Sequence, residues 1–130
     1  MTPANFEAAF GSALVAVVDN AQWPVFAATR DGDVPDDSCV IVRCENGRHI
    51  AGGYIQAEME VMVMSSSLIQ GEVETAKSIA SEIYDWLRGT PGASGPGFSL
   101  AGVHVTNLLS SDNDRRWAQS VQFTCGFSPA

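Results

Sequence analysis

Residues Ala57-Glu58-Met59-Glu60-Val61-Met62-Val63-Met64 alternate with a period of two, a pattern that fits only an extended strand with two unlike faces. Ala57, Met59, Val61 and Val63 form a face suited to a core. Glu58, Glu60, Met62 and Met64 form the other, which starts acidic and ends in thioethers, an unusual surface to leave in water. On both sides of this strand the period lengthens. Upstream, Phe6, Ala9, Phe10, Ala13, Leu14 and Val17 recur every three or four residues, behind a Thr2 cap and Pro3 in the first turn, where a missing amide proton costs nothing. Downstream, Val73, Ala76, Ile79, Ala80, Ile83 and Leu87 form a second helical stripe that Gly89 and Pro91 bring to a stop.

The remaining segments read as strands and loops. Val25 and Phe26 suit a short strand begun by Pro24. Cys39 to Cys44 is rich in β-branched residues and is expected to end in a tight turn at Glu45-Asn46-Gly47. Residues 89 to 97, rich in Gly and Pro, read as a flexible connection. Phe98 to Val105 and Trp117 to Phe127 are the closing strands, joined through Ser110 to Asp114. The predicted fold class is therefore α+β: a mainly antiparallel sheet with two amphipathic helices packed on one face, over a single domain of residues 1–130. Two helices cover one sheet face only. The other is expected to meet water or a second subunit.

Charge narrows the partners. The chain carries 15 acids against 7 bases, a net charge of -8, with Lys77 as the one lysine. A general basic surface for gripping nucleic acid is excluded. With 45% hydrophobic residues the chain is not a disordered one. The apolar run Ala13 to Val18 has no preceding base and is far shorter than a membrane span, and the three cysteines are odd in number and scattered, so a reduced, intracellular, unexported chain is expected.

No motif reports a reaction. Glu58 and Glu60 lie two apart on one strand face, as a general acid and base require, and with His49 they define the one enzyme or ligand-binding reading that merits a test. No partner nucleophile or second pair is evident, and a charged face that keeps a sheet soluble or lines an assembly is the better account of the pair. Cys39, Cys44, Cys125, His49 and His104 lack metal-ligand spacing, and five residues along a strand send Cys39 and Cys44 to opposite faces. Buried thiols are the simpler reading. The Gly-rich stretch lacks the Gly-Lys-Ser/Thr of a phosphate loop, and no G-x-S-x-G elbow occurs. Arg115 and Arg116 follow Asp112 and Asp114, which suggests a salt-bridged turn. Trp23, Trp86 and Trp117 read as core or rim, with Trp86 also placed to anchor an interface.

This order of elements resembles the tail terminator, or tail-completion, proteins of long-tailed bacteriophages. The likeness runs through the N-terminal helix Phe6 to Val17, the strand Ala57 to Met64 leading through serines into the helix Val73 to Leu87, a Gly-containing connection, and two closing strands that end in Arg115-Arg116-Trp117-Ala118-Gln119-Ser120-Val121-Gln122-Phe123. The acidic loop from Asp31 to Asp37 and the Gly-Pro stretch depart from it. The resemblance implies a virion structural protein that forms a ring, typically a hexamer, on the head-proximal end of the tail tube, caps tube polymerisation and offers a docking surface to the head connector or neck proteins. DNA would cross its lumen without specific binding. No catalysis and no cofactor are implied. In that setting Asp31, Asp33, Asp36, Asp37, Glu58 and Glu60 are candidate lumen or docking acids, since a negative wall repels passing phosphate. Met62, Met64, Trp86, Arg115 and Arg116 are candidate subunit-interface residues. Within the virion, a neck or head-completion protein or a tail-tube subunit is the alternative.

Overall fold

The computed structural model describes residues 3–18, 23–27, 37–49, 55–89, 94–95, 98–112 and 115–129. In chain order these form α1 (Pro3–Val18), β1 (Val25–Ala27), β2 (Cys39–His49), β3 (Ile55–Met64), α2 (Gln70–Arg88), β4 (Ser94–Gly95), β5 (Phe98–Asp112) and β6 (Trp117–Pro129). The strands make one six-stranded sheet in the order β1-β2-β3-β6-β5-β4. All neighbours are antiparallel except β1 and β2, which run parallel from the bond that Val40 N–H donates to the Pro24 carbonyl at 2.9 Å.

The alternation in β3 sets the sheet's two sides. Ala57, Met59, Val61 and Val63 are buried, together with Val40 and Val42 of β2 and Val121, Phe123 and Cys125 of β6, and both helices pack on this side. The α+β arrangement with two helices on one face is thus present. In α2 the buried stripe is Ala76, Ile79, Ala80, Ile83 and Leu87. In α1 it is Phe6, Phe10, Ala13 and Leu14. Phe10 sits where three elements meet, its ring centroid 5.7 Å from Phe6, 5.3 Å from Trp86 and 5.9 Å from Phe123. The two helices differ on their outer sides. α2 turns Glu74, Lys77, Glu82 and Asp85 to solvent, whereas the exposed positions of α1 include Ala8, Ser12, Val15 and Ala16 and carry no charge.

Three local expectations are corrected. Asn46-Gly47 is not the hairpin turn: Gly47 pairs with Ala57 and β2 continues to His49, so the connection falls at 50–54, outside the described residues. The ladder slips by one residue between Cys44 and Asn46, leaving Glu45 as the extra residue of a β-bulge. Glu7 of α1 accepts the Cys44 N–H at 2.6 Å, which gives an acceptor to a β2 amide beyond the reach of the short β1 ladder. The Gly-Pro stretch holds a short strand after all, because Ser94 and Gly95 fold back onto Ser99 and Phe98. Finally, β5 runs on to Asp112, through what read as the joining loop, and two register irregularities let the long strand stay paired with β6. The Thr2 cap lies outside the described residues.

The thiols behave as buried apolar groups. Cys39 and Cys125 are buried and Cys44 is half-buried, with Cys39 on the face away from the helices and the other two on the helix side. Burial pushes the Cys125 thiol up to about 12, and it raises Cys39 and Cys44 as well, the latter with help from the Glu7 carboxylate. In the folded protein at pH 8, a maleimide or disulfide reagent is expected to modify Cys44 slowly and to reach Cys39 and Cys125 only on unfolding. Mass mapping of labelled peptides in and out of denaturant checks this; rapid native labelling of Cys125 would contradict its place in the core.

Candidate docking surfaces

The sheet face away from the helices is built in cross-strand rows. From one end these are Arg48 and Gln56; Asn46, Glu58, Thr124 and His104; Arg43, Glu60 and Gln122; Ile41, Met62 and Ser120; and Cys39, Met64 and Ala118. Glu58 and Glu60 do share a face, yet their circumstances differ. Glu58 is exposed. Glu60 is only 9% exposed, accepts hydrogen bonds from Ser120 Oγ at 2.6 Å and Gln122 Nε2 at 3.1 Å, and lies 3.8 Å from Arg43. Its carboxylate is engaged within the sheet, so it works as a cross-strand tie between β2, β3 and β6.

Around Glu58 the face opens into a shallow basin of about 460 Å³ whose lining includes Glu45, Glu58, Glu60, Gln122 and Thr124. An adjoining hollow of about 280 Å³ is rimmed by Asn46, Arg48 and Gln56, where Arg48 donates to Gln56 Oε1 at 3.0 Å. Arg48 and Glu58 bring both signs of charge to it, with Thr124 opposite Glu58 in the sheet register. Among the described residues no three His, Cys, Asp or Glu side chains converge to hold a metal ion. The side chain of His49 lies outside the described set.

The opposite end of the same face is not bare. Ile41 is 1% exposed and Cys39 is fully buried, and Met62 and Met64 are half-buried beside them. Arg116 closes the strand ends here. It is 6% exposed and donates from Nε to the Ser65 carbonyl at 2.7 Å and from Nη2 to the Asp37 carbonyl at 3.0 Å. Its guanidinium donates to two carbonyls of the chain, contacts that a salt-bridged turn or a subunit interface does not by itself predict. Arg115 remains exposed. Trp86 is half-buried, with its ring against Phe10. Asp31, Asp33 and Asp36 lie outside the described residues, and Asp37 is exposed while its carbonyl serves Arg116.

Two features were not singled out from the sequence. Ser65, Ser66 and Ser67 make a hydrogen-bonded corner: Trp117 N–H donates to Ser65 Oγ at 2.9 Å, Ser65 N–H returns to the Trp117 carbonyl, and Ser66 and Ser67 both donate hydroxyls to Glu72. These bonds, the Ser66 one foremost, hold the Glu72 carboxyl below the usual range. Serines followed by a first-turn acid are a visible helix-start signal. Immediately after them Leu68 and Ile69 protrude, Ile69 being 67% exposed. Beside them lies a groove of about 450 Å³ lined by Leu68, Gln70, Val73, Glu74, Lys77 and Trp117, with the Lys77 ammonium 6.0 Å from the Trp117 ring centroid.

No protein-family model matches this sequence, and no curated protein sequence does. Its fold does have a counterpart among solved structures. A chain from the virion of a native gene transfer agent particle superposes with a TM-score of 0.60 at 18% sequence identity, over 95% of this chain and 94% of the other. At that identity what the two chains share is the fold. Among the described residues, no helix is long and apolar enough to cross a membrane.

Proposed function

We propose that this chain is a structural protein of a phage-like virion, and within it a tail terminator: a ring, a hexamer in our reading, at the head-proximal end of the tail tube that ends tube growth and carries the surface on which head or neck proteins dock. The observation that carries the reading is the near full-length fold match to a virion chain, with the family resemblance of the sequence pointing the same way. The site chemistry fits a role in assembly. The basin beside Glu58 is shallow, and one of the two strand carboxylates is tied into the sheet. The exposed acids, with a net charge of -8 per copy, favour a lumen past which DNA slides without being held. In this reading Glu58 and the acidic residues 31–37 face the lumen or the docking surface, the particle is assembled in the host cytoplasm, and the chain needs no cofactor.

Purified protein mixed with tail tubes that lack a terminator is expected to cap one end of each tube with a ring visible by negative stain. It should also halt further addition of tube subunits. Light scattering on the detached ring should give about six times the 13.8 kDa chain mass. Unaided growth of the pure protein into filaments would instead identify a tube subunit, and rings that bind heads and ignore tubes would identify a neck protein.

A further inference from the structure

Large apolar side chains are exposed at two separate places: Val15 on α1 with Phe26 on β1, and Leu68 with Ile69 at the head of α2. A head-to-tail ring needs two different complementary patches on every subunit, whereas a twofold dimer needs one self-complementary patch. The rest of this inference rests on the ring reading above. α1 is the element that looks unfinished. One charged residue, Glu7, occurs in its sixteen positions, and that carboxylate is taken by the Cys44 N–H. The outward row Ala8, Ser12, Val15 and Ala16 is small or apolar, so the helix has the composition of one covered on all sides while one side lies open. The groove at the head of α2 is its opposite in shape. Leu68 and Ile69 stand out from it and Trp117 floors it, while small side chains on α1 leave room for such knobs.

Charge gives the pair a direction. α1 has no basic residue in its last turn, so no charge within the helix offsets the negative character of its C-terminal carbonyls. Lys77, the chain's one lysine, stands at the groove. We infer that the outer face of α1 in one copy seats on the Leu68–Ile69 groove of the next copy, with Lys77 supplying the cation that the α1 C-terminus lacks, and that this joint repeats around the ring.

The test uses two substitutions at exposed positions that spare the core. Val15→Lys suits the C-terminal half of its own helix and repels Lys77 across the joint; Ile69→Asp removes the apolar knob and sets an anion against the α1 C-terminus, while suiting the N-cap position of its own helix. Each variant alone is expected to sediment as a monomer, its subunit affinity down by about 30-fold or more, with an unchanged circular dichroism spectrum. An equimolar mixture should form a one-to-one dimer and stop, since each variant keeps the patch the other lacks. Rings of full strength from either variant would overturn this joint and leave the ring reading intact. Wild-type protein that stays monomeric at high concentration and on tail tubes would overturn both. A mixture that remains monomeric would show that the two patches are not partners.

Discussion

Phe10→Ala is expected to cost about 3–5 kcal/mol of folding stability, the range for deleting a large buried aromatic. Phe10 is fully buried and its ring touches those of Phe6, Trp86 and Phe123, so one side chain joins both helices to the central strands. Its loss removes apolar burial and, with it, aromatic contacts worth about 0.5–1.5 kcal/mol each beyond area. Little can collapse into the gap, because the neighbours are held on three separate elements. A typical domain has about 5–15 kcal/mol in total, so the variant should melt about 10–20 °C lower. Phe10→Leu, which refills most of the volume, should lose far less. Thermal and urea unfolding of both variants decide the matter. A cost below about 1 kcal/mol for Phe10→Ala would mean that α1 is not docked as described, and the open face argued for it would fall too.

Periodicity placed the core stripes of both helices and both faces of β3, since burial repeats at the spacing of the element itself. Asn46-Gly47 misled because the turn rule sees only neighbours, whereas the strand there is kept in the ladder by a bulge and by a carboxylate 37 residues away. Arg116 shows the same limit: the acids nearest to it in sequence are Asp112 and Asp114, and local pattern gives no hint of the two carbonyls 51 and 79 residues distant to which it also donates. The candidate acids divide the same way. Sequence put Glu58 and Glu60 on one face, but only the register shows that Glu60 is enclosed by Arg43, Ser120 and Gln122 while Glu58 stays free. The protruding Leu68 and Ile69 were legible only as the start of a helix, because whether an apolar residue is buried or exposed depends on what packs beside it.

Arg116→Ala is expected to cost about 2–4 kcal/mol, because hydrogen bonds from a charged donor are worth about 1.5–3 kcal/mol each and its guanidinium donates one to the Ser65 carbonyl and one to the Asp37 carbonyl. The residue sits just before β6 and binds the carbonyl that ends β3 and the one that precedes β2, so it holds three strand ends in one place. Arg116→Lys keeps the charge but not the planar fork, and a single ammonium is not shaped to serve both carbonyls; it should recover less than half of the loss. A local readout separates this role from a general contribution to stability. The Arg116 guanidinium favours the thiolate of Cys39, so its removal alone would make that thiol still less reactive. Fraying of the strand ends works the other way. If Arg116 is the clasp, native-state labelling of Cys39 should rise by about 10-fold or more in Arg116→Ala, following the lower cost of local opening, while Cys125 in the helix-side core stays protected. Equal acceleration at both thiols would show that the variant merely unfolds more often, and unchanged labelling at Cys39 would show that the strand ends hold without the guanidinium.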